Sequence, residues 1–298
     1  MKQRLVLLAV GLALVALAAL LAPEPASPGG GGALRAMGSS MGGFRIAFVD
    51  LLFLRAERLL REGRVEEVPP LYQAIRELDP ENAAAADHLA AVYAYDLQGE
   101  APDTAGRLYW WLQAWELVEE ALEIHPRDAS LLMRSSDLLL EIAPRDPDLE
   151  ALVGLRVPDP RFVGFERLVA AAREEATLPR RGRIHLLRLT VLLPIEAARR
   201  LADGEAYEPL LTLGEEVLAL RRQTLGEMRV PDPVDAPGTR EPLDGMLEAG
   251  IQVVRDVGEA LRDGDRERAE ARLQGYRARI PGTEVATVLE RALEDDGG

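Results

Sequence analysis

Short clusters of glycine, proline and aspartate divide the chain beyond residue 44 into longer segments of helix-forming residues. These segments are rich in alanine, leucine, glutamate and arginine, which have high helix propensity. Aromatic residues make up only 5% of the chain, whereas strands favour aromatic and β-branched side chains. The pattern therefore predicts an all-α protein built from helices joined by short turns.

Residues 49–82 have the spacing of an antiparallel two-helix hairpin. In such a hairpin, small side chains let the helices cross closely, large ones fill the groove between them, and a proline ends the second helix. The residues in these roles are Leu52, Ala56, Leu59, Gly63 at the turn, Tyr72 and Pro80.

A second unit begins at Ala83 and repeats this spacing with an insertion. About twelve extra residues, centred on LQGEAPDTAG, are expected to lengthen the turn between its two helices. The residues that recover the spacing are Ala86, Leu89, Ala90 and Tyr93 before the insertion, and Ala114, Val118, Ala121 and Pro126 after it. A third helix is predicted from Ala129.

These spacings resemble the tetratricopeptide repeat, a helical hairpin of about 34 residues. The resemblance is close over residues 49–142 and weak over residues 190–281. It implies an antiparallel helix-hairpin (TPR-like) superhelix over residues 44–142, whose concave face binds proteins or peptides. Residues 143–298 are predicted to be degenerate helical hairpins packed on those repeats, because single units leave an apolar face exposed.

Within the C-terminal half, residues 195–221 and 253–281 have the pattern of two further hairpins. Residues 143–164 contain too much proline, aspartate and glycine for one continuous helix. Pro194 interrupts an apolar helix that is too short to span a bilayer, so a buried core helix is expected there. We also expect this proline to bend or split the helix.

Residues 5–22 form an unbroken apolar run that follows Lys2 and Arg4. A helix of this length extends about 27 Å, close to the thickness of the bilayer core. The basic flank keeps the N-terminus in the cytoplasm and sends the body across the inner membrane. We therefore predict a signal-anchor transmembrane helix over residues 1–22.

Residues 23–43 are rich in proline, glycine and serine and are predicted to be a flexible tether. An alternative to the anchor is a cleaved signal peptide, since Ala16-Leu17-Ala18 has the small residues that a signal peptidase requires. Cleavage would leave the protein secreted or periplasmic. Both possibilities place the body on the extracytoplasmic side.

The resemblance also implies which residues line the binding groove. In the first unit they are Asp50, Phe53, Glu57, Leu60 and Arg61, and in the second they are Ala84, Asp87, Ala91, Ala94 and Tyr95. Receptors of this family that bind chaperone tails hold a carboxylate with lysine and asparagine, whereas this chain has Phe53, Glu57, Asp87 and Ala91 in such places. We therefore do not expect that ligand. A solvated helix face, or contacts to the next unit, is the alternative interpretation of these positions.

All three tryptophans lie in the segment LYWWLQAWELV, as Trp110, Trp111 and Trp115. Trp111 and Trp115 share one helix face because they are four residues apart. Aromatic clusters are frequent at protein interfaces, although packing in the core also explains these two. Trp110 is expected to be the least buried of the three and is the partner-binding candidate.

Charge and composition argue against several other classes of function. The net charge is −15, and such a surface repels the phosphates of nucleic acids. The absence of cysteine excludes disulfides, thiol catalysis and cysteine-bound zinc. His88, His125 and His185 lie on separate segments without a metal-ligand partner at helical spacing. We predict no enzymatic activity, cofactor, metal or small-molecule substrate.

Three functions are compatible with the sequence. The first is a membrane-anchored scaffold or adaptor for protein–protein interaction in the bacterial cell envelope. The second is a non-catalytic subunit or assembly factor of a larger envelope complex, which would expose a large apolar patch when isolated. The third is an enzyme with its site in residues 143–190. That enzyme requires a deep pocket that converges on Arg156, Asp159, Arg161 and Glu166, with His185 as an additional candidate.

Overall fold

A computed structural model describes residues 43–175, 181–227 and 243–295. Every regular element within these ranges is helical, which confirms the predicted all-α class. The predicted anchor and nearly all of the predicted tether lie outside the described residues. Gly43, the last residue of that tether, already begins a helix. Within the described ranges, none of the helices combines the length and the apolar character that crossing a bilayer requires.

The contacts between helices divide the chain into two compact units, with His125 as the last residue of the first and Pro126 as the first of the second. The described part of the first unit contains four numbered helices, and each packs against the next along the chain, as expected for consecutive hairpins. They are α1 (Gly43–Arg61), α2 (Pro69–Leu78), α3 (Ala83–Ala91) and α4 (Thr104–Ile124).

Gly63 makes the turn between α1 and α2. Its φ of 72° lies in the left-handed region, where glycine carries no steric cost. The backbone N–H of Arg64 donates to the Leu59 carbonyl at 2.9 Å, which closes the end of α1. Pro69 then occupies the first turn of α2, where its missing N–H costs nothing. The predicted turn at Gly63 is therefore confirmed.

The insertion after Tyr93 lengthens helices instead of a turn, so the predicted long connection is wrong. A π-helical segment, Val92–Leu97, and a short α-helical segment, Gln98–Glu100, continue α3. Only residues 101–103 separate this helix from α4. Leucine, glutamine and glutamate in LQGE favour helix. The helix ends at Glu100, since Ala101 before Pro102 is extended. The Asp103 side chain then caps α4 by accepting from the Gly106 N–H at 2.7 Å.

Small side chains pack against large ones in the core of the first unit. Ala56 and Tyr72 are 0% and 1% exposed, and Ala90 is fully buried as well. Ala56 and Ala90 occupy places that the hairpin spacing assigns to small residues, and Tyr72 occupies a place assigned to a large residue that fills the groove. The other assigned positions that are buried are Leu59, Ala86, Leu89, Tyr93, Ala114, Val118 and Ala121.

The described part of the second unit contains eight numbered helices. They are α5 (Ala129–Asp137), α6 (Pro147–Gly154), α7 (Pro160–Glu174), α8 (Arg181–Ala202), α9 (Glu208–Glu227), α10 (Leu243–Arg262), α11 (Arg266–Arg279) and α12 (Glu284–Asp295). A π-helical segment, Leu138–Ile142, and a 3-10 segment, Ala143–Arg145, continue α5. The predicted helix from Ala129 is present, and residues 143–164 are interrupted as expected.

The two predicted C-terminal hairpins are α8 with α9 and α10 with α11. Gly204 and Gly264 make their turns with φ of 70° and 71°. Helix α8 is central in this unit, since it packs against α7, α9, α10 and α12. Its side chains Leu189 and Leu193 are 0% and 1% exposed, which confirms the expected core helix.

Pro194 does not split α8, so that part of the expectation is wrong. The helix runs from Arg181 to Ala202 with the proline inside it. Pro194 faces Gly250 of α10, where an added Cβ would lie 2.8 Å from the Pro194 Cβ. The glycine leaves room for the ring, and packing on α10 keeps both parts of the helix aligned on one core.

Candidate functional site

Three aromatic rings from three successive helices pack together in the first unit. Phe53 of α1 meets the Tyr72 ring of α2 edge-on, with centroids 5.7 Å apart, and the His88 ring of α3 edge-on at 6.0 Å. The Tyr72 and His88 rings are stacked at 5.9 Å with an interplanar angle of 3°. Such arrangements stabilise aromatic pairs beyond simple burial. This aromatic cluster, Phe53, Tyr72 and His88, therefore links the first hairpin to the second.

The cluster reaches the surface through two of its members. Tyr72 is buried, Phe53 is half-buried, and His88 is exposed. Burial raises the pKa of the Tyr72 hydroxyl, and the charges of Glu57 and Asp87 raise it further. Glu57 follows Phe53 by one turn of α1, and Asp87 directly precedes His88 on α3. Two of the predicted groove residues from different helices therefore border the same aromatic cluster.

The charges on this surface are mixed but predominantly acidic. Arg61 lies within ion-pair distance of Glu57, with its Nη2 3.5 Å from the Glu57 Oε2. Both side chains are exposed, so this pair contributes little to stability. Asp87 is half-buried, and Asp50 is exposed one turn before Phe53 on α1. The surface can therefore attract a cationic group next to aromatic rings.

Two predicted site residues lie outside this cluster. Tyr95 is 37% exposed on the π-helical segment that continues α3. Trp110 of α4 belongs to a second aromatic group. Its ring stacks on Tyr93 at 5.5 Å and meets the Tyr109 ring edge-on at 4.8 Å. Among the predicted site residues, the structure thus places Phe53 against Tyr72, with Glu57 one turn from Phe53 and Asp87 next to His88 in the chain.

The tryptophans divide between core and surface. Trp111 is fully buried and stacks on the half-buried Trp115 with centroids 5.4 Å apart. Trp110 is half-buried. Tyr109, beside it, is 53% exposed and is the more accessible aromatic side chain. Neither Tyr109 nor His88 was predicted from the sequence as a site residue. His88 directly follows Asp87, a predicted groove residue, and this position could have identified it. Its stacking on Tyr72 is seen only in the packed helices.

A charged cleft of about 560 Å³ lies in the second unit and bears on the enzyme alternative. Arg161 binds Glu150 at 2.8 Å and Glu196 at 2.9 Å, and so connects α6, α7 and α8. The Arg200 Nη1 donates to Asp159 at 2.8 Å. Hydrogen bonding from Arg200 holds the pKa of Asp159 below its ordinary value. The charges of these side chains are therefore largely neutralised by each other.

The other three residues of that alternative do not line the cleft. Arg156 and Glu166 are exposed. The His185 Nε2 lies 2.9 Å from the Glu175 Oε2, and both side chains are buried. Among the described residues, Arg156 and Glu166 therefore do not converge with Asp159 and Arg161 on one pocket.

Histidine and carboxylate side chains form no metal site in the parts of the chain that the structure describes, where no group of three or more metal-ligating residues converges. His125 is the C-cap of α4, with its backbone N–H bonded to the Ala121 carbonyl at 2.8 Å.

The site is therefore best described as an aromatic and acidic surface on α1, α2 and α3. Comparisons with protein families, curated proteins and solved structures found no match to this chain.

Proposed function

We propose that this chain is a membrane-anchored, tetratricopeptide-like scaffold or adaptor that binds a protein or peptide partner in the bacterial cell envelope. The observation that carries this proposal is the aromatic cluster bordered by Glu57 and Asp87. Phe53 of this cluster and the two carboxylates occupy positions that the repeat resemblance assigns to the groove. The consecutive packing of α1 to α4 supports the same proposal.

The chemistry of this surface favours a partner segment with a basic side chain. An arginine or lysine can lie over an aromatic face while its charge is balanced by a nearby carboxylate. His88 offers an exposed ring for this contact, and Glu57 and Asp87 supply negative charge beside it. The net charge of −15 on the whole chain would also speed the approach of a basic partner.

The apolar run at residues 5–22 supports the proposed anchor, and the body then lies on the extracytoplasmic side. Fractionation of cells followed by protease treatment of spheroplasts tests this localisation. We expect the full-length chain in the inner-membrane fraction and digestion of its body from outside. A shorter chain in the soluble periplasmic fraction would show instead that the N-terminal segment is cleaved.

Affinity purification from membranes of the source organism tests partner binding, with the full-length chain as bait. We expect Phe53→Ala and Asp87→Arg to lose a protein that the wild-type chain captures. Glu100→Arg is the matched control, because Glu100 is also exposed and acidic in the first unit but lies at the far end of the α3 extension. Retention of every captured protein by both variants would show that this surface is not the binding site.

A second candidate is a permanent, non-catalytic subunit or assembly factor of an envelope complex. The observation that favours it is an exposed apolar face on α1, where Ile46, Leu51 and Leu54 are 65%, 58% and 60% exposed. A permanent subunit would co-purify in fixed stoichiometry and would aggregate when expressed alone. A transient adaptor would be soluble in mild detergent and would lose its partner on dilution.

A further inference from the structure

Helix α1 has an apolar face that no described residue covers. Leu51 and Leu54 are 58% and 60% exposed, and Ala47 is exposed as well. On the opposite side, Val49 and Ala56 are 6% and 0% exposed where α1 packs into the first unit. Large apolar side chains exposed on one helix face commonly mark a contact with another molecule.

The spacing along this face is that of a two-stranded coiled coil. Ala47, Leu51, Leu54 and Arg58 follow one another at intervals of four, three and four residues. That spacing keeps a narrow stripe of side chains on one side of a helix, where a second helix can pack against it. We call these four residues the α1 seam. Three of its four members are apolar.

Two unpaired charges flank the α1 seam on opposite sides. Asp50 directly precedes Leu51, and Arg55 directly follows Leu54. Both side chains are exposed, and within the described ranges neither has an ion-pair partner. Other charged residues of α1 are paired within the first unit: Arg45 with Asp79, Arg58 with Glu62, and Arg61 with Glu57.

A second copy of α1, packed in parallel and in register, would satisfy both charges. In a parallel coiled coil, a residue flanking one side of the seam meets the residue five positions later on the partner helix. Asp50 of one copy would therefore meet Arg55 of the other, and two-fold symmetry would form this pair twice. In an antiparallel pair, residues that flank one side of the seam face residues of the same side on the other copy. Asp50 would then lie beside the acidic Glu57, and the like charges would repel. The charges thus favour the parallel arrangement.

We propose that the α1 seam is a self-association surface on which α1 of a second copy packs in parallel. The seam spans twelve residues from Ala47 to Arg58, or roughly 18 Å of helix. A contact of this size is small, so dimerisation depends on local concentration. The proposed anchor would supply that concentration by confining two chains to one membrane. Because both anchors would have the same orientation, the two α1 helices would extend from the membrane in the same direction, as a parallel pair requires.

Disulfide cross-linking of the full-length chain in membranes tests the proposal. The chain contains no cysteine, so every disulfide must form at an introduced residue. In a parallel, in-register pair, Ala47→Cys and Leu54→Cys each place two thiols opposite one another. We expect both variants to give a disulfide-linked dimer on mild oxidation. In an antiparallel pair at most one of these positions can lie at the two-fold axis, because they are about 10 Å apart along the helix.

Glu100→Cys is the control for collisions between anchored chains, because its side chain is also exposed but lies on the α3 extension. It is expected to remain monomeric under the same oxidation. The far-ultraviolet circular dichroism of each variant verifies that the helices are intact. Substitution of these exposed residues is not expected to change it.

Charge reversal tests the register. In the Ala47→Cys background, Asp50→Arg or Arg55→Asp alone would place like charges together and should reduce the dimer fraction by about fivefold. The double reversal, D50R with R55D, restores opposite charges and should restore cross-linking. Monomeric Ala47→Cys and Leu54→Cys variants would overturn the proposal. Cross-linking that is unaffected by either single reversal would overturn it as well.

Discussion

Asp159 holds the Arg200 guanidinium through both of its carboxylate oxygens while its own backbone is left-handed, with φ of 48°. The same side chain caps α7, because its Oδ1 accepts from the Phe162 N–H at 3.1 Å. Arg200 is only 7% exposed. One aspartate therefore begins a helix, pairs with a buried cation, and occupies a conformation that most side chains avoid.

We expect Asp159→Ala to lower the free energy of unfolding by about 2–4 kcal/mol, through loss of the cap and of the partner of Arg200. Asp159→Asn should cost less, because asparagine tolerates the left-handed conformation and can still cap the helix. Urea denaturation followed by circular dichroism measures both values. Equal stability of the alanine variant and the wild type would contradict this account.

The pair of Asp159 and Arg200 also predicts how the free energy of unfolding depends on pH. The pKa of Asp159 is lowered in the folded state by hydrogen bonding from Arg200. The stability that it contributes is therefore fully present above its unfolded pKa of about 4 and is lost as the pH falls through the lower folded value. Stability measured from pH 6 downwards should fall less steeply in Asp159→Asn than in the wild type. Identical slopes would show that Asp159 does not contribute to the acid dependence.

Alkaline pH should destabilise the first unit through its buried tyrosines. Burial raises the pKa of Tyr72 and of Tyr93 in the folded state. Their contribution to stability is thus fully present below the unfolded pKa of about 10 and is lost as the pH rises through the higher folded values. Tyrosinate absorbance should increase in two phases, with the later one reduced in Tyr72→Phe. Titration of all tyrosines in a single early phase would contradict this prediction.

The buried pair of Glu175 and His185 predicts a difference between single and double substitution. His185→Ala leaves the Glu175 carboxyl buried without its 2.9 Å partner and should cost about 3 kcal/mol. Replacing both residues by leucine removes the polar groups together and should cost less than the single change. Thermal unfolding of the three chains compares them. A double variant less stable than His185→Ala would argue against the pairing.

Two helical glycines provide a matched test of packing in the second unit. A Cβ added at Gly258 would lie 2.6 Å from the ring carbon Cζ of Tyr207, whereas nothing lies within 4 Å of a Cβ at Gly275. Gly258→Ala should therefore destabilise the protein by about 1–3 kcal/mol. Gly275→Ala should stabilise it by about 0.5–1 kcal/mol, since alanine is the better helix former. Unfolding midpoints that shift in the same direction would contradict the packing described here.

The sequence predicts the helical class and most turns because those features depend on local chemistry. Gly63, Gly204 and Gly264 lie at turns that require a positive φ, and this requirement can be recognised from neighbouring residues. The extension of α3 through LQGE was not predicted, because an insertion between two helices suggests a loop until its own helix propensity is considered. The space for Pro194 within the continuous helix α8 lies at Gly250, which belongs to another helix and cannot be recognised from the residues around the proline.

The site was predictable only in part for the same reason. Phe53, Glu57 and Asp87 could be placed on one surface because the repeat spacing relates α1 to α3. The stacking of His88 on Tyr72 depends on how three helices pack, and no spacing within one helix reveals it. The exposure of the α1 seam is evident only from the structure, because heptad spacing alone does not distinguish a face turned to the core from one turned to a partner.

The position of the three tryptophans has a practical consequence for experiments on this chain. Trp110, Trp111 and Trp115 all belong to the first compact unit, so intrinsic indole fluorescence reports on that unit alone, whereas amide circular dichroism reports on both. Melting curves recorded by the two signals would superimpose if the units unfolded as one cooperative system. Separate curves would reveal two independently unfolding bodies without any added label.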